Sequence, residues 1–373
     1  MSQLLIKSQD IRYTKLTFVV QFTEDTMLPK QKVSAIRGGI GEMLLRANCV
    51  RGRECEKCDF SDECIVQRIM YSKYEKKPSF VTTGESVGYV LECDNYKEEF
   101  YQGDQLSFQL ILFGKNIVYF NQYLQAISML GVSGLGKHQA HFIIVSVKNQ
   151  YWQDILVNNS IQMGNYQIST LGEYIDYRMR QLEESQLPKE QQRSFSHVSD
   201  ACYSGMLAFH TPFTVKYQGE FIRDLQMDPI IASIRRRLYM LDCFEGIEAE
   251  IFWDETPETA VTTRQQSRLE GVNRYSNRRD SAMTLRGIKG KVWFDGANED
   301  TMKLLFAGEL LHIGKKQQLW IWRVSGDVVT NCPPEVSRRC LGEVFVGVTF
   351  PRAPVTRLII ICSLKVPLQR SAS

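Results

Sequence analysis

Gln105–Val147 reads QLSFQLILFGKNIVYFNQYLQAISMLGVSGLGKHQAHFIIVSV, and this stretch decides the fold. Gln105–Phe113 is rich in apolar and aromatic residues, which predicts a strand. Apolar residues recur at helical spacing over Asn116–Leu130. Gly131–Gly136 then predicts a glycine-rich turn, and Phe142–Val147 predicts another strand. The stretch is therefore a strand–helix–strand unit with a glycine loop before its last strand.

The residues before this unit extend the same pattern. Ile11–Phe22 predicts a strand, Lys32–Asn48 a helix and Val87–Glu92 a further strand. The order of elements over residues 1–150 is typical of an α+β domain of the ferredoxin-like, or split βαβ, kind. The more polar residues 151–205 are predicted to be a connecting segment.

A similar order recurs in the second half, over residues 206–316. Met206–Tyr217 and Lys291–Phe294 predict strands, and Asp228–Phe244 and Asp300–Leu311 predict helices. The sequence therefore suggests a coarse internal duplication.

Length and composition narrow the class of protein. The 373 residues fit about two domains, and 43% hydrophobic with 23% charged residues is the balance of a folded soluble protein. No apolar run approaches the ~20 residues that cross a bilayer, and MSQLLIKSQD lacks a signal-peptide core. A cytoplasmic protein is expected, in which ten cysteines favour thiols or a metal site over disulfides.

Four cysteines have the spacing of a metal site, C-x5-C-x2-C-x5-C, and they are Cys49, Cys55, Cys58 and Cys64. Four thiolates complete a tetrahedral site and leave no open position for catalysis, so a structural zinc is predicted. An iron–sulfur cluster uses the same ligands and stays an alternative, as do four unliganded thiols.

A basic segment in the second half predicts contact with nucleic acid. From Arg264 to Lys291, eight basic residues face only two acidic ones. Arg and Lys pair with phosphates, and an interleaved Tyr stacks on an unpaired base. The candidate RNA contacts in this segment are Arg274, Tyr275, Arg278 and Arg279. A solvated loop is the alternative interpretation.

Two of the five histidines lie beside loops that suit phosphate binding. His138 follows Gly134, Gly136 and Lys137, and His312 precedes Gly314, Lys315 and Lys316. Glycine-rich backbone approaches phosphate closely. A histidine with a nearby cation can activate a ribose 2′-OH and protonate a 5′-oxygen. A structural role for either histidine remains open.

Taken together, the pieces resemble the CRISPR-associated endoribonucleases that process precursor CRISPR RNA, within the repeat-associated mysterious protein (RAMP) superfamily. The resemblance is carried by segments in both halves, among them LPKQKVSAIRGGIGEMLLR (Leu28–Arg46), FQLILFGKNIVYFNQYLQAISMLGVSGLGKHQAHF (Phe108–Phe142), NRYSNRRDSAMTLRGIKGKVWFDG (Asn273–Gly296) and LLFAGELLHIGKK (Leu304–Lys316).

The resemblance implies two tandem ferredoxin-like, RNA-recognition-motif-like domains, with the cysteine knuckle inserted in the first. It also implies binding of CRISPR repeat RNA and cleavage without a metal, which gives 2′,3′-cyclic phosphate and 5′-OH ends. It places Arg37 in the first-helix motif, Gly134 and Gly136 in the first glycine loop, and His312, Gly314 and Lys315 before the second. The product would pass to interference-complex subunits.

The sequence departs from that family at two places. Lys30–Arg53 has no histidine, and Glu42 stands where some relatives have one. After Lys316 the resemblance stops, and Gln317–Arg323 reads QQLWIWR. Suitable codons for these residues, read one base later, encode the missing loop NSFGFGG. We therefore expect residues 317–373 to come from a frameshift and to leave the second sheet with an unpaired edge.

Two alternatives to an endoribonuclease stay open. The same basic groove, without acid–base residues, would suit a non-catalytic RAMP subunit that holds guide RNA in an interference complex. A weaker alternative is a DNA-binding regulator with a metal knuckle, although no helix-turn-helix pattern is present.

Overall fold

The computed structural model describes residues 9–71, 74, 78, 80–81, 86–157, 159–186, 202–247, 260–276, 281–313 and 322–329. The helices of these residues are α1 (Val33–Asn48), α2 (Ile65–Tyr71), α3 (Phe120–Ser133), α4 (Leu171–Gln186), α5 (Met227–Glu245) and α6 (Glu299–Leu311). The strands are β1 (Arg12–Phe22), β2 (Thr26–Met27), β3 (Tyr89–Glu92), β4 (Glu99–Phe100), β5 (Gln105–Phe113), β6 (Phe142–Lys148), β7 (Asp154–Val157), β8 (Ser160–Ile161), β9 (Ser169–Thr170), β10 (Cys202–Phe213), β11 (Lys216–Tyr217), β12 (Glu220–Phe221), β13 (Val261–Ser276), β14 (Ser281–Ala297) and β15 (Trp322–Val329).

The first sheet is antiparallel, and β1 lies at its centre. Its strand order is β3-β5-β1-β6-β7-β8, and β9 also pairs with β1. One face of β1 carries Leu16, Phe18 and Val20, all of which are buried in the core. This alternation is the reason the sequence predicted the strand, and the predicted bounds of β5 are confirmed.

The second sheet is also antiparallel, with the order β13-β14-β10-β15. Leu207, Val292 and Phe294 are buried on one of its faces. Helix α6 contacts both β10 and β14, and it packs against α5. The result is a mixed α/β structure built on antiparallel sheets, as predicted.

Each half of the chain contains a strand–helix–strand–strand–helix–strand series. In the first half the series is β1, α1, β3, β5, α3 and β6, and in the second half it is β10, α5, β13, β14, α6 and β15. In both sheets the four strands of the series lie in the order second, third, first, fourth. This order buries the first and third strands at the centre of each sheet.

Two regions differ from the expectations. The predicted connecting segment 151–205 holds β7, β8, β9 and α4 in its described part, so it extends the first sheet. The expected unpaired edge of the second sheet is wrong, because β15 pairs with β10 from Phe209↔Trp322 to Cys202↔Val329. No helix of the described residues is long and apolar enough to cross a membrane.

Candidate functional site

The predicted glycine loop, Gly131–Gly136, is a tight turn only from Gly134 onward, because Gly131–Ser133 form the last residues of α3. The Gly134 N–H donates to Leu130 O at 2.8 Å, and Gly134 has φ +87°. A Cβ at Gly134 would lie 2.5 Å from the Gln139 carbonyl oxygen, so only glycine fits without a shift of the backbone. Leu135 and Ala140 exchange two backbone hydrogen bonds and close the turn. The conformation is therefore fixed, and Gly136 has φ +75° at its far side.

The turn presents two of the predicted site residues to solvent. Lys137 and His138 are both exposed. The base of the turn is attached to the end of β1, because the Thr23 N–H donates to His141 O at 3.1 Å. His141 Nε2 lies 3.9 Å from Glu24 Oε1. Sequence reasoning gave His141 no role, although its position directly after the turn was a usable signal.

Arg37 lies on α1 but is not wholly directed to solvent. Its Nε donates to the Tyr89 hydroxyl at 3.1 Å, and Tyr89 is buried. The ring of Tyr89 lies 5.8 Å from that of Tyr123. Any phosphate contact by Arg37 would use its remaining guanidinium N–H groups, because Nε is engaged within the protein.

Glu42, also on α1, is bound by two arginines. Its Oε1 accepts hydrogen bonds from Arg53 at 2.7 Å and from Arg46 at 2.9 Å. The Arg53 hydrogen bond, with help from Arg46, lowers the pKa of the Glu42 carboxyl. An ionised and paired carboxylate is an acceptor, so Glu42 cannot act as the general acid that a histidine would supply.

The second sheet has an open, basic face, which we call the basic face. The register places Arg264 opposite Trp293, Gln266 opposite Lys291 and Arg268 opposite Lys289. Because alternate residues of a strand share a face, these side chains lie on the side opposite the buried Val292.

Charge and aromatic surface meet on the basic face. The Arg264 guanidinium lies 4.9 Å from the centroid of the Trp293 ring. Glu270 accepts from Arg268 at 3.2 Å and from Lys289 at 3.5 Å. Among the side chains named here, one carboxylate lies beside four cations, so this part of the face is positive and suits a polyanion. Sequence reasoning located the charge run but not Trp293, because its pairing depends on strand register.

The predicted contacts nearer the hairpin end are described only in part. Arg274 pairs with Met283 and Tyr275 with Ala282 in the β13–β14 register. Arg278 and Arg279 lie outside the described residues, as do Gly314, Lys315 and Lys316. Their RNA contacts stay predictions.

His312 lies in a buried contact between the two halves. Its side chain is 1% exposed, and Nε2 donates to Glu92 Oε1 at 2.6 Å. The other Glu92 oxygen accepts from Lys15 Nζ at 3.3 Å. The catalytic role of His312 stays a prediction, but this geometry favours a structural role because the imidazole is sealed from solvent.

Glu92 is held in its ionised form. Burial raises the pKa of the Glu92 carboxyl, but the Lys15 ammonium and the hydrogen bond and charge of His312 outweigh burial and lower the pKa to about 2. The carboxylate is therefore charged at neutral pH and forms the centre of the contact.

The four cysteines of the predicted knuckle lie in an exposed stretch. Cys49, Cys58 and Cys64 are partly buried, Cys55 is exposed, and the Arg53 N–H donates to Cys49 Sγ at 3.2 Å. Among the described residues, no three His, Cys, Asp or Glu side chains are grouped so as to hold a metal ion. The metal site thus stays a prediction. Two cysteines outside this segment, Cys93 and Cys243, are buried.

Two family models cover much of the chain. One, described as an N-terminal domain, matches residues 11–169. The other, the CRISPR-associated endoribonuclease Cas6, matches residues 207–319, which include the basic face and His312. Residues 207–319 therefore match the Cas6 endoribonuclease family. The Cas6 match ends three residues after Lys316, where the resemblance by sequence also stopped.

Several solved Cas6 structures are similar to this chain. A chain of a partial Cas6-RT-Cas1–Cas2 complex is 10% identical, with a TM-score of 0.48, over 89% of this chain and 48% of that one. A Cas6 product complex is 13% identical, with a TM-score of 0.42, over 84% and 99%. Cas6 from Thermus thermophilus is 10% identical, with a TM-score of 0.39, over the same shares.

The present chain spans about half or less of the Cas6-RT-Cas1 chains that it matches, 48% in one complex and 30% in another. None of the curated proteins matches the sequence.

Proposed function

We propose that this protein binds CRISPR repeat RNA and cleaves precursor crRNA as an endoribonuclease. The observation that carries the proposal is the match of residues 207–319 to the Cas6 endoribonuclease family. The basic face lies within those residues and supplies cations beside an aromatic ring, as a single-stranded RNA requires.

The proposed scaffold is a pair of ferredoxin-like domains, residues 1–150 and 206–316. The repeated strand order of the two sheets supports two such domains, although β15 extends the second sheet beyond residue 316. In this scaffold RNA would contact the basic face of the second domain and the glycine turn of the first.

The proposed chemistry needs no metal. A general base removes the proton of the ribose 2′-OH, the 2′-oxygen attacks the adjacent phosphorus, and a general acid protonates the departing 5′-oxygen. The products are a 2′,3′-cyclic phosphate and a 5′-OH. His138 is the better placed of the two predicted histidines, because it is exposed and Lys137 beside it can stabilise the phosphorane charge.

The four-cysteine segment is proposed to hold a structural zinc. No side chain of the Cys55–Lys57 turn is buried, so the segment has little core of its own. A tetrathiolate zinc would stabilise such a segment and take no part in cleavage. An iron–sulfur cluster bound by the same four cysteines remains the alternative to zinc.

Cleavage of a repeat transcript in the presence of EDTA tests the proposal. The expected products carry a cyclic phosphate and a 5′-OH, identified by end-group analysis. Arg180→Ala on α4 is a matched control, because the Arg180 guanidinium is exposed and donates to Asp176 O of the same helix. A chemical step that requires added divalent metal would contradict the mechanism.

The second candidate is a non-catalytic subunit that holds guide RNA within an interference complex. Two observations favour it: Lys30–Arg53 has no histidine, and His312 is buried against Glu92. RNA binding by the wild-type chain without any cleavage would establish this alternative. Loss of cleavage on His138→Ala, with binding retained, would exclude it.

A further inference from the structure

Three contacts connect the end of α6 and its neighbours to the first half of the chain. The first is the His312–Glu92–Lys15 series described above. The second is an ion pair between Arg178 and Glu309, with 2.9 Å between Nε and Oε2. Both contacts join residues that are distant in sequence, so they fix the position of α6 relative to the first half of the chain.

The third contact is made by Arg237 of α5, which is 1% exposed. Its guanidinium donates to the backbone oxygens of Ser86 and Val87, each at 3.1 Å, and of Leu311 at 3.3 Å. One side chain therefore joins the approach to β3 with the last residue of α6. This buried guanidinium keeps its three carbonyl partners only while α5, the end of α6 and the residues before β3 stay in place relative to one another.

His312 is the residue directly after the last residue of α6. Its backbone N–H donates to Gly308 O at 3.1 Å, and its φ of +51° turns the chain away from the helix axis. Nδ1 has no hydrogen-bond partner among the described residues, so the imidazole is held by the carboxylate through Nε2. Ile313, which follows, is fully buried.

We infer that His312 is a positioning residue that, through Glu92, fixes the end of α6 against the first half of the chain. Its buried contact with a carboxylate on another domain explains why a histidine stands at the end of α6. This inference rests on the proposed function, since α6 packs against β14, which carries part of the basic face.

A positioning role and a catalytic role have different kinetic signatures. A catalytic histidine lowers the rate of cleavage at saturating RNA and leaves the affinity unchanged. A positioning histidine lowers the affinity, and removal of its partner Glu92 has the same effect. The double variant should then lose little more affinity than either single variant, because each substitution alone already breaks the His312–Glu92 contact.

The test compares Glu92→Gln, His312→Asn and the double variant in the full chain. Asparagine tolerates a positive φ better than most residues, so His312→Asn limits backbone strain. Glu299→Gln on α6 is the matched control, because this carboxylate pairs with Lys303 four residues later in the same helix. Lys15→Gln serves as a milder variant if the others do not fold, since the Lys15 side chain is 29% exposed.

Each single variant is expected to weaken repeat-RNA binding about tenfold, with the double variant no weaker than the worse single one. Cleavage at saturating RNA should stay within about twofold of the wild-type rate. A loss of about 100-fold at saturating RNA in His312→Asn alone, with affinity intact, would overturn the inference in favour of catalysis. Unchanged affinity in all variants would overturn it as well.

Failure of the proposed function would appear differently. The wild-type chain would then neither bind nor cleave repeat RNA, and the inference about RNA placement would fall with it. The contact itself would still be decided by the thermal unfolding midpoints. Non-additive shifts for Glu92→Gln and His312→Asn support it, and additive shifts refute it.

Discussion

Arg264 stacks its guanidinium 4.9 Å from the ring of Trp293, directly across the β13–β14 ladder. The pair combines a permanent cation with a π surface at one point of an open sheet. A nucleotide presents a phosphate and a base to the protein, so this pair matches both parts of its chemistry.

Trp293→Ala should weaken repeat-RNA binding by about 1–3 kcal/mol, the range for loss of one base–aromatic stack. The measurement is the dissociation constant at a fixed salt concentration. Arg180→Ala on α4 should bind as the wild type does. Equal affinity of Trp293→Ala and wild type would mean that RNA does not occupy the basic face.

Lys291→Gln should reduce the salt dependence of binding rather than the sequence preference. Each phosphate contact to a single strand contributes a slope of about −0.7 in log K against log salt. Loss of one contact should therefore make the slope less steep by about that amount. Lys291 is exposed. If the variant binds more weakly but its plot of log K against log salt has the wild-type slope, Lys291 supports the folded structure and does not contact a phosphate.

Glu92→Gln should reduce stability at pH 7 and change its dependence on acid. The folded-state pKa of about 2 is below the ordinary 4.5 of an unfolded glutamate. A depressed carboxyl stabilises the fold above the unfolded pKa, and this contribution is lost as pH falls from about 4.5 through about 2. Its upper size is about 3 kcal/mol at ~1.4 kcal/mol per pKa unit.

Urea unfolding of wild type and Glu92→Gln between pH 7 and pH 3 measures this effect. The difference in unfolding free energy should shrink as the solution is acidified. The groups facing Glu92 are Lys15 and His312, and its charge also reaches Tyr174. A difference that stays constant with pH would show that the Glu92 charge contributes nothing to the fold.

Gly134→Ala should destabilise the protein by about 1–3 kcal/mol, because a non-glycine residue would occupy a strained backbone conformation. The added Cβ would also meet the Gln139 backbone. Gly38→Ala is the matched control, since nothing lies within 4 Å of a Cβ there and the residue is inside α1. That substitution should be neutral or stabilising by up to about 1 kcal/mol. Equal melting temperatures for both variants would contradict the description of the turn.

Metal analysis of the purified chain should find about one zinc per molecule if the four thiolates form a site. Cys58→Ser should lose the metal and lower the melting temperature, whereas Lys57→Ala in the same turn should retain it. Cleavage by the zinc-loaded chain should persist in EDTA over the assay time, because the proposed metal is structural. A metal-free protein of full stability would rule out the site.

Local sequence patterns predicted the elements of the first half well. The apolar face of α1 and the run that forms β5 are strong signals, because both are buried in one core. The same reasoning found only Lys291–Phe294 of the 17-residue β14. Long polar strands such as β13 lack an apolar alternation along most of their length, and backbone pairing rather than burial defines them.

The candidate site was harder to predict, because its contacts are distant along the chain. His312 stood beside a basic loop in sequence, and this position suggested catalysis. Its partner Glu92 is 220 residues away, and nothing local signals that pairing. The opposition of Arg264 and Trp293 likewise depends on the register of two strands. The glycine turn was predictable, because close backbone approach needs glycine at particular positions.

The pairing of β15 with β10 shows which property of a strand this position of the sheet requires. The hydrogen bonds between paired strands join backbone N–H and C=O groups, which are the same for nearly all residue types. Strand β15, which lies beyond the Cas6 match, therefore covers the side of β10 that would otherwise be an unpaired edge, and β15 itself becomes the edge strand. Backbone pairing alone thus lets a strand of unrelated sequence occupy this position beside β10.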